Sequence, residues 1–401
     1  MNPVPRLKAY SGPALLSYGF RPFFLGGAIY AGLGILIWLP LFSGEVGIPT
    51  AFSPLDWHIH EMLYGYLPAV ITGFLLTATP NWTGRLPLQG GHLAVLVTVW
   101  IAGRIAVCTS VIIGPIASAA IDCLFLLLVF AATAREVIAG RNWRNLPAIL
   151  IVLIFFTGNV AFHIEDCEIG TAEFGARLGI AAAVALISLI GGRVIPSFTR
   201  NWLARENPGR LPIPFGRFDT AVLGVSSLAL VLWIMAPTSV STAALMLIAS
   251  AGQTTRLGRW AGDRTLGDRL VLVLHVGYAF VPLGFALLAA AILVPQAVPF
   301  SAGIHAWTVG AIGTMTLAIM TRASLGHTGQ PLKAGSLTQG IYVAIIAAAI
   351  LRTAAAVLPE AMIWLLYIAG AAWIAAFWMF AAGYGPLLAR RRRVQKSDPV
   401  L

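Results

Sequence analysis

The chain has 401 residues, 58% of them hydrophobic and 10% charged, with a mean hydropathy of +0.85. A soluble domain carries roughly 25% charged residues, so a water-soluble fold is excluded. The net charge of +11 does not point to nucleic acid, because the basic residues sit in short segments between apolar runs and form no basic domain.

Stretches near the ~20 apolar residues that a membrane span requires recur along the whole chain. They fall at about 23–42, 58–79, 92–112, 116–134, 146–163, 177–195, 219–236, 239–254, 270–294, 305–321, 340–358 and 361–388. The eighth is short and runs into Gly252, Gln253, Thr254 and Thr255. The expected fold is an all-α, polytopic transmembrane bundle of about twelve spans. It forms a single membrane domain over 1–401, with a short basic N-terminal segment (1–22) and a basic tail (389–401). The first apolar run is long enough to span and lacks a small-residue cleavage site, so it is read as retained.

Charge sets the expected orientation, since basic residues favour cytoplasmic loops. With Arg6, Lys8 and Arg21 inside, 23 of the 26 basic residues fall on the cytoplasmic side, and Arg104, Arg177 and Arg352 lie elsewhere. Glu45, Asp56, Glu165, Asp166, Glu168 and Glu173 fall opposite. Both termini are therefore expected in the cytoplasm. The longest connection, about 196–218, is rich in Arg and Pro. Cys108, Cys123 and Cys167 show no CxxC spacing, which argues for packing and against a thiolate metal site; no CxxCH motif for covalent haem is present.

Ionisable side chains at membrane depth are costly and are functional candidates by default. His58 and His60 open the second span, His163 closes the fifth and His305 opens the tenth, so four histidines and Glu61 share the outer side. Imidazoles converging from several helices suit copper or the axial positions of a haem iron. His58 and Glu61, three apart, share a helical face, whereas His58 and His60 point in different directions. The two histidines serve either different centres, or one as ligand and one as its support. His275 and His327, with Arg322, lie toward the cytoplasmic side, too far for one centre to use both groups across a core of about 30 Å. Arg104 and Asp122 are intramembrane charges near mid-span, either a structural ion pair or a proton relay. His92 is read as interfacial.

Several segments resemble the NnrS family of haem- and copper-containing membrane proteins of the bacterial nitric oxide response. They are the run Gly19 to Phe24, WHIHEM at 57–62, GFLLTATPNWTGR at 73–85, GGRVIPSFTRNW at 191–202, LHVGYAFVPLG at 274–284 and HAWTVGAIGTMTLAIMTRASLGHTG at 305–329. The resemblance implies a twelve-span inner-membrane bundle carrying haem b and copper. It also implies protection against nitric oxide or nitrosyl-iron species, an oxidoreductase reading that leaves the electron donor open. His58, His60, Glu61, His163, His275, His305, Arg322 and His327 lie in or beside these segments. On this reading His60 and His305 are the expected axial ligands, and His58 and His163 are freer for copper, within a metal-ligand pool of all four. Glu61 supports them or donates protons, and Arg322 is the other catalytic candidate. His275 and His327 form an alternative cofactor site. The competing reading is a twelve-span secondary transporter, to which Arg259, Gly262, Asp263 and Arg264 bear a faint likeness.

Overall fold

In hydrocarbon, backbone N–H and C=O groups must be satisfied within the spanning segment, which an apolar run achieves by coiling into a helix. The computed structural model describes residues 10–391, and among these the regular elements are all helical. Arg6, Lys8, Arg392, Arg393 and Lys396 of the basic ends lie outside the described residues.

Twelve long helices follow one another: α1 (Phe20–Phe42), α2 (Pro54–Thr83), α3 (Gly91–Cys108), α4 (Pro115–Ala139), α5 (Leu146–Ile169) and α6 (Glu173–Glu206). Then come α7 (Arg217–Met235), α8 (Val240–Gly258), α9 (Arg269–Leu293), α10 (Phe300–Thr328), α11 (Ser336–Val357) and α12 (Met362–Ala389). Eleven are long and apolar enough to cross a membrane. The twelfth is α8, whose last turns carry Gln253, Thr254, Thr255 and Arg256; Gln253 and Arg256 turn inward and are fully buried.

The expected long loop at 196–218 is a correction. Helix α6 continues through Pro196 to Glu206, leaving only 207–216 as connection. At 1.5 Å per residue its 34 residues extend about 51 Å, well beyond the hydrocarbon core. The short connection is clamped by Arg264, which donates to the carbonyls of Asn207, Pro208 and Arg210, and by an Arg210–Asp263 ion pair. Three of the residues that suggested a transporter loop thus have structural partners, since Arg259 stacks over Phe218.

Helices α2 and α10 share an uncommon construction. Each opens with a short α segment and widens into a π-helical stretch, Glu61–Tyr66 in α2 and Ala306–Gly313 in α10. Each then returns to α geometry and ends on a left-handed glycine, Gly84 or Gly329. In α2 the cause is legible: Pro68 brings no N–H and crowds the carbonyl four residues back, and the wider turn relieves it. The Gly65 carbonyl accepts from the Trp100 indole at 2.9 Å. In both helices a histidine immediately precedes the π stretch, His60 and His305.

Consecutive helices are neighbours, and α12 packs back on α1 to close the bundle. Every fourth helix is an inner one: α2, α6 and α10 touch one another and are the most enclosed of the eleven spans. Tyr64 in α2 donates to Gly175 O of α6 at 2.6 Å, and Tyr66 bonds Thr316 of α10 at 2.6 Å. Gly175 also permits the close approach of α5 to α6, because a Cβ there would lie 2.6 Å from the Phe162 backbone of α5. The inner three divide the bundle into compartments walled by α3–α5, by α7–α9, and by α11, α12 and α1.

Candidate metal centre

The first compartment holds a buried polar cluster built from four helices. His60 and Glu61 come from α2, Arg104 from α3, Asp122 from α4, and Asn159 and His163 from α5; all are buried. Asn159 and His163 are four apart on one helix and so share a face. The spacing of Arg104 is made possible by Gly65, since a Cβ there would overlap its guanidinium.

The cluster is closely connected. His60 Nδ1 lies 2.8 Å from Glu61 Oε1, and Glu61 also accepts from the Tyr30 hydroxyl of α1 and from Arg104. Arg104 in turn bridges to Asp122. Asp122 Oδ2 accepts from Asn159 Nδ2 at 2.7 Å and lies 3.1 Å from His163 Nε2 and 3.2 Å from His60 Nε2. The expected Arg104–Asp122 pair is therefore present, but within a larger network. Ligand atoms of His60, Asp122 and His163 lie within 4.8 Å of one another.

Two features suit this trio to a cation. With Nδ1–H donated to Glu61, His60 Nε2 carries a lone pair, and that lone pair faces two acceptors, Asp122 Oδ2 and Asn159 Oδ1, the latter at 3.0 Å. Such convergence in a low-dielectric interior requires a proton or a metal ion between the groups. In addition, Glu61 and Asp122 bring two negative charges against the single positive charge of Arg104, so neutral histidines leave one charge uncompensated. Imidazole and carboxylate together fit copper, zinc or iron, and Glu61 holds one imidazole as metal-bound histidines are commonly held.

The structure groups the other candidates differently from their order along the chain. His58 points away from His60, as expected, and stacks on Trp38 of α1 at 4.1 Å. Its electrostatic neighbours are His305 of α10 and Arg352 of α11. Glu61 joins His60 and not His58, because the π turn begins at Glu61 and shifts the face it presents. His60 is thus associated with His163, and His58 with His305, in place of the expected His60–His305 pairing.

His275, His327 and Arg322 lie toward one end of the bundle, and His275 and Arg322 meet adjacent residues of α6. His275 bonds Thr199 of α6 at 2.9 Å and is backed by Gly262. His327 packs on Tyr18 and Phe20 at the start of α1. Arg322 lies over the Phe198 ring at 3.9 Å. It is 17 residues beyond His305 on the same helix, about 25 Å along the axis, far from Glu61. His92 is exposed at the start of α3. Cys108, Cys123 and Cys167 are free thiols.

The α7–α9 compartment contains a second buried ion pair. Arg256 donates to Asp219 at 3.0 Å, to Ser188 O at 2.8 Å and to the Tyr278 hydroxyl at 3.0 Å, and Tyr278 donates to Gln253. Sequence reading missed this network, along with Tyr30, Asn159 and the ligand geometry of Asp122. The four-residue spacing of Asn159 and His163 was an available signal.

Residues 14–392, nearly the whole chain, match the family model described as NnrS protein. The comparison with curated proteins returned no match.

Proposed function

The chain belongs to the NnrS family, and on that premise we propose that it is a multi-pass protein of the bacterial inner membrane that protects against nitric oxide by redox chemistry. We assign copper to His60, His163 and Asp122, with haem b as the second cofactor and nitric oxide or nitrosyl-iron species as substrate. Twelve crossings with both ends in the cytoplasm remain the proposed topology, with α8 counted as a crossing because its polar residues face inward. The observation that supports the reading most is the buried convergence of two imidazoles and a carboxylate at one point. A transporter does not require such a trio.

Bound copper and haem would supply ligand binding and electron exchange for a small neutral gas that dissolves in the bilayer. The protein's own residues would do the rest. Glu61 fixes the tautomer of His60 and leaves Nε2 for the metal. Arg104 holds both carboxylates in place. Tyr30, Glu61 and His60 form a continuous hydrogen-bonded line from α1 to the metal ligands, a route for moving a proton.

The test is a spectrum of the purified chain, oxidised, reduced and exposed to nitric oxide, with iron and copper quantified on the same sample. Stoichiometric copper that is lost in His163→Ala, together with a b-type spectrum that responds to nitric oxide, is the expected result. A metal-free, colourless protein from haem- and copper-replete cells would overturn the reading.

A further inference from the structure

Each of the three compartments draws an arginine from a surrounding helix, Arg104, Arg256 or Arg352. Arg104 has Glu61 and Asp122, and Arg256 has Asp219. Arg352, in the compartment of α11, α12 and α1, has no carboxylate partner among the described residues. Arg352 is half-buried, and a guanidinium within a spanning helix is costly unless it is paired, so this compartment lacks an anion that the other two possess.

Its surroundings indicate the kind of anion. Arg352 lies near the end of α11, His305 near the start of α10, His58 near the start of α2 and Trp38 near the end of α1, so all four share one end of the bundle. His58, His305 and Arg352 are mutual electrostatic neighbours. His305 Nδ1 lies 2.6 Å from Ser301 O and donates to it, which leaves Nε2 with its lone pair. His58 has no hydrogen-bond partner on either ring nitrogen among the described residues, and its Nδ1 is buried. The Trp38 indole N–H is likewise buried without an acceptor. Two imidazoles with nitrogen atoms to spare, an unsatisfied indole N–H and a guanidinium without a carboxylate suit a ligand that offers a metal at its centre and carboxylates at its rim.

We propose that His58 and His305 are the two axial ligands of a b-type haem, whose propionate carboxylates are received by Arg352 and the Trp38 indole. This rests on the haem reading above and replaces the expected His60–His305 pair. It separates the haem from the copper ligands: the neighbouring residues His58 and His60 serve two centres from opposite faces of one helix.

The experiment uses the full chain, purified in detergent from haem-replete cells, with absorption and electron paramagnetic resonance spectra, a redox titration and copper content measured together. Wild type should show a low-spin, bis-imidazole haem. His58→Gly and His305→Gly should each lose that signal, keep stoichiometric copper, and regain a low-spin spectrum when free imidazole is added. Retained copper shows that the variants are folded. Arg352→Gln should shift the haem midpoint to a more negative potential, because it removes a positive charge that favours the reduced form; Arg352→Lys should restore most of the shift. Low-spin haem that survives in both glycine variants but disappears in a His60, His163, His275 or His327 variant would overturn this ligand pair and leave the haem reading standing. Absence of haem from the wild type would overturn both.

Discussion

Glu61→Gln isolates the role of one charge at the candidate copper site. Glu61 Oε1 receives both His60 and Arg104, and Oε2 receives Tyr30. A glutamine whose carbonyl oxygen replaces Oε1 keeps the first two contacts, and its amide can donate to the Tyr30 oxygen. The geometry therefore survives while the charge is removed. Arg104 retains Asp122, so no buried charge is left alone, and the fold should persist. His60 loses the anionic support that raises the basicity of a metal-bound imidazole, a change that typically costs 10–100-fold in affinity. At 1.4 kcal/mol per decade this is about 1.4–2.8 kcal/mol. The assay is competition for copper against a chelator of known strength, on full-length protein whose folding is confirmed by circular dichroism. An affinity within about threefold of the parent, in a folded variant, would refute the claim that Glu61 acts through His60.

Other outcomes follow from the same geometry. Asp122→Ala should abolish copper binding and destabilise the protein by about 3–5 kcal/mol, the usual cost of breaking a buried ion pair, measured as a lower denaturant midpoint. Copper at a thousandfold above its dissociation constant should stabilise wild type by about 4 kcal/mol, seen as a raised melting temperature that His163→Ala does not share. Gly175→Ala, whose Cβ would meet the Phe162 backbone at 2.6 Å, should cost about 1–3 kcal/mol and reduce the yield of folded protein. Arg256→Met leaves Asp219 buried without its main partner and should cost about 3–5 kcal/mol, with copper content unchanged in the protein that does fold.

The helical class and the positions of eleven segments were legible because apolar runs of span length are a direct signal of burial in lipid. Helix ends were less legible. Pro196 reads as a breaker, yet α6 carries it without interruption, because a proline costs a helix one hydrogen bond that a long, packed helix can forgo. The site residues were legible as individual expensive side chains, His60, Asp122 and Arg104 among them, but their partners were not. Which face Glu61 presents depends on a π turn that helical spacing does not foresee, so the i, i+3 rule assigned it to His58 when it belongs with His60. The association of His58 with His305 spans 247 positions and was out of reach without the packing order of the helices.

That packing order also explains where the chemistry is expected. Helices α2, α6 and α10 recur every fourth position and touch one another, so each has little contact with lipid. A polar side chain on an inner helix finds partners across a compartment wall, whereas the same side chain on an outer helix can face hydrocarbon with none. His60 and Glu61 on α2 follow this rule through Asn159 and Arg104, as does Thr199 of α6, which bonds His275 of α9. The buried Arg104 and Arg256 and the half-buried Arg352 stand on surrounding helices, α3, α8 and α11, and reach inward toward groups on or beside the inner three. A π turn directly after His60 and directly after His305 then sets the two inner helices to present these histidines into different compartments. One arrangement thus yields two separated histidine clusters, which is the condition for holding two cofactors apart within a single bundle.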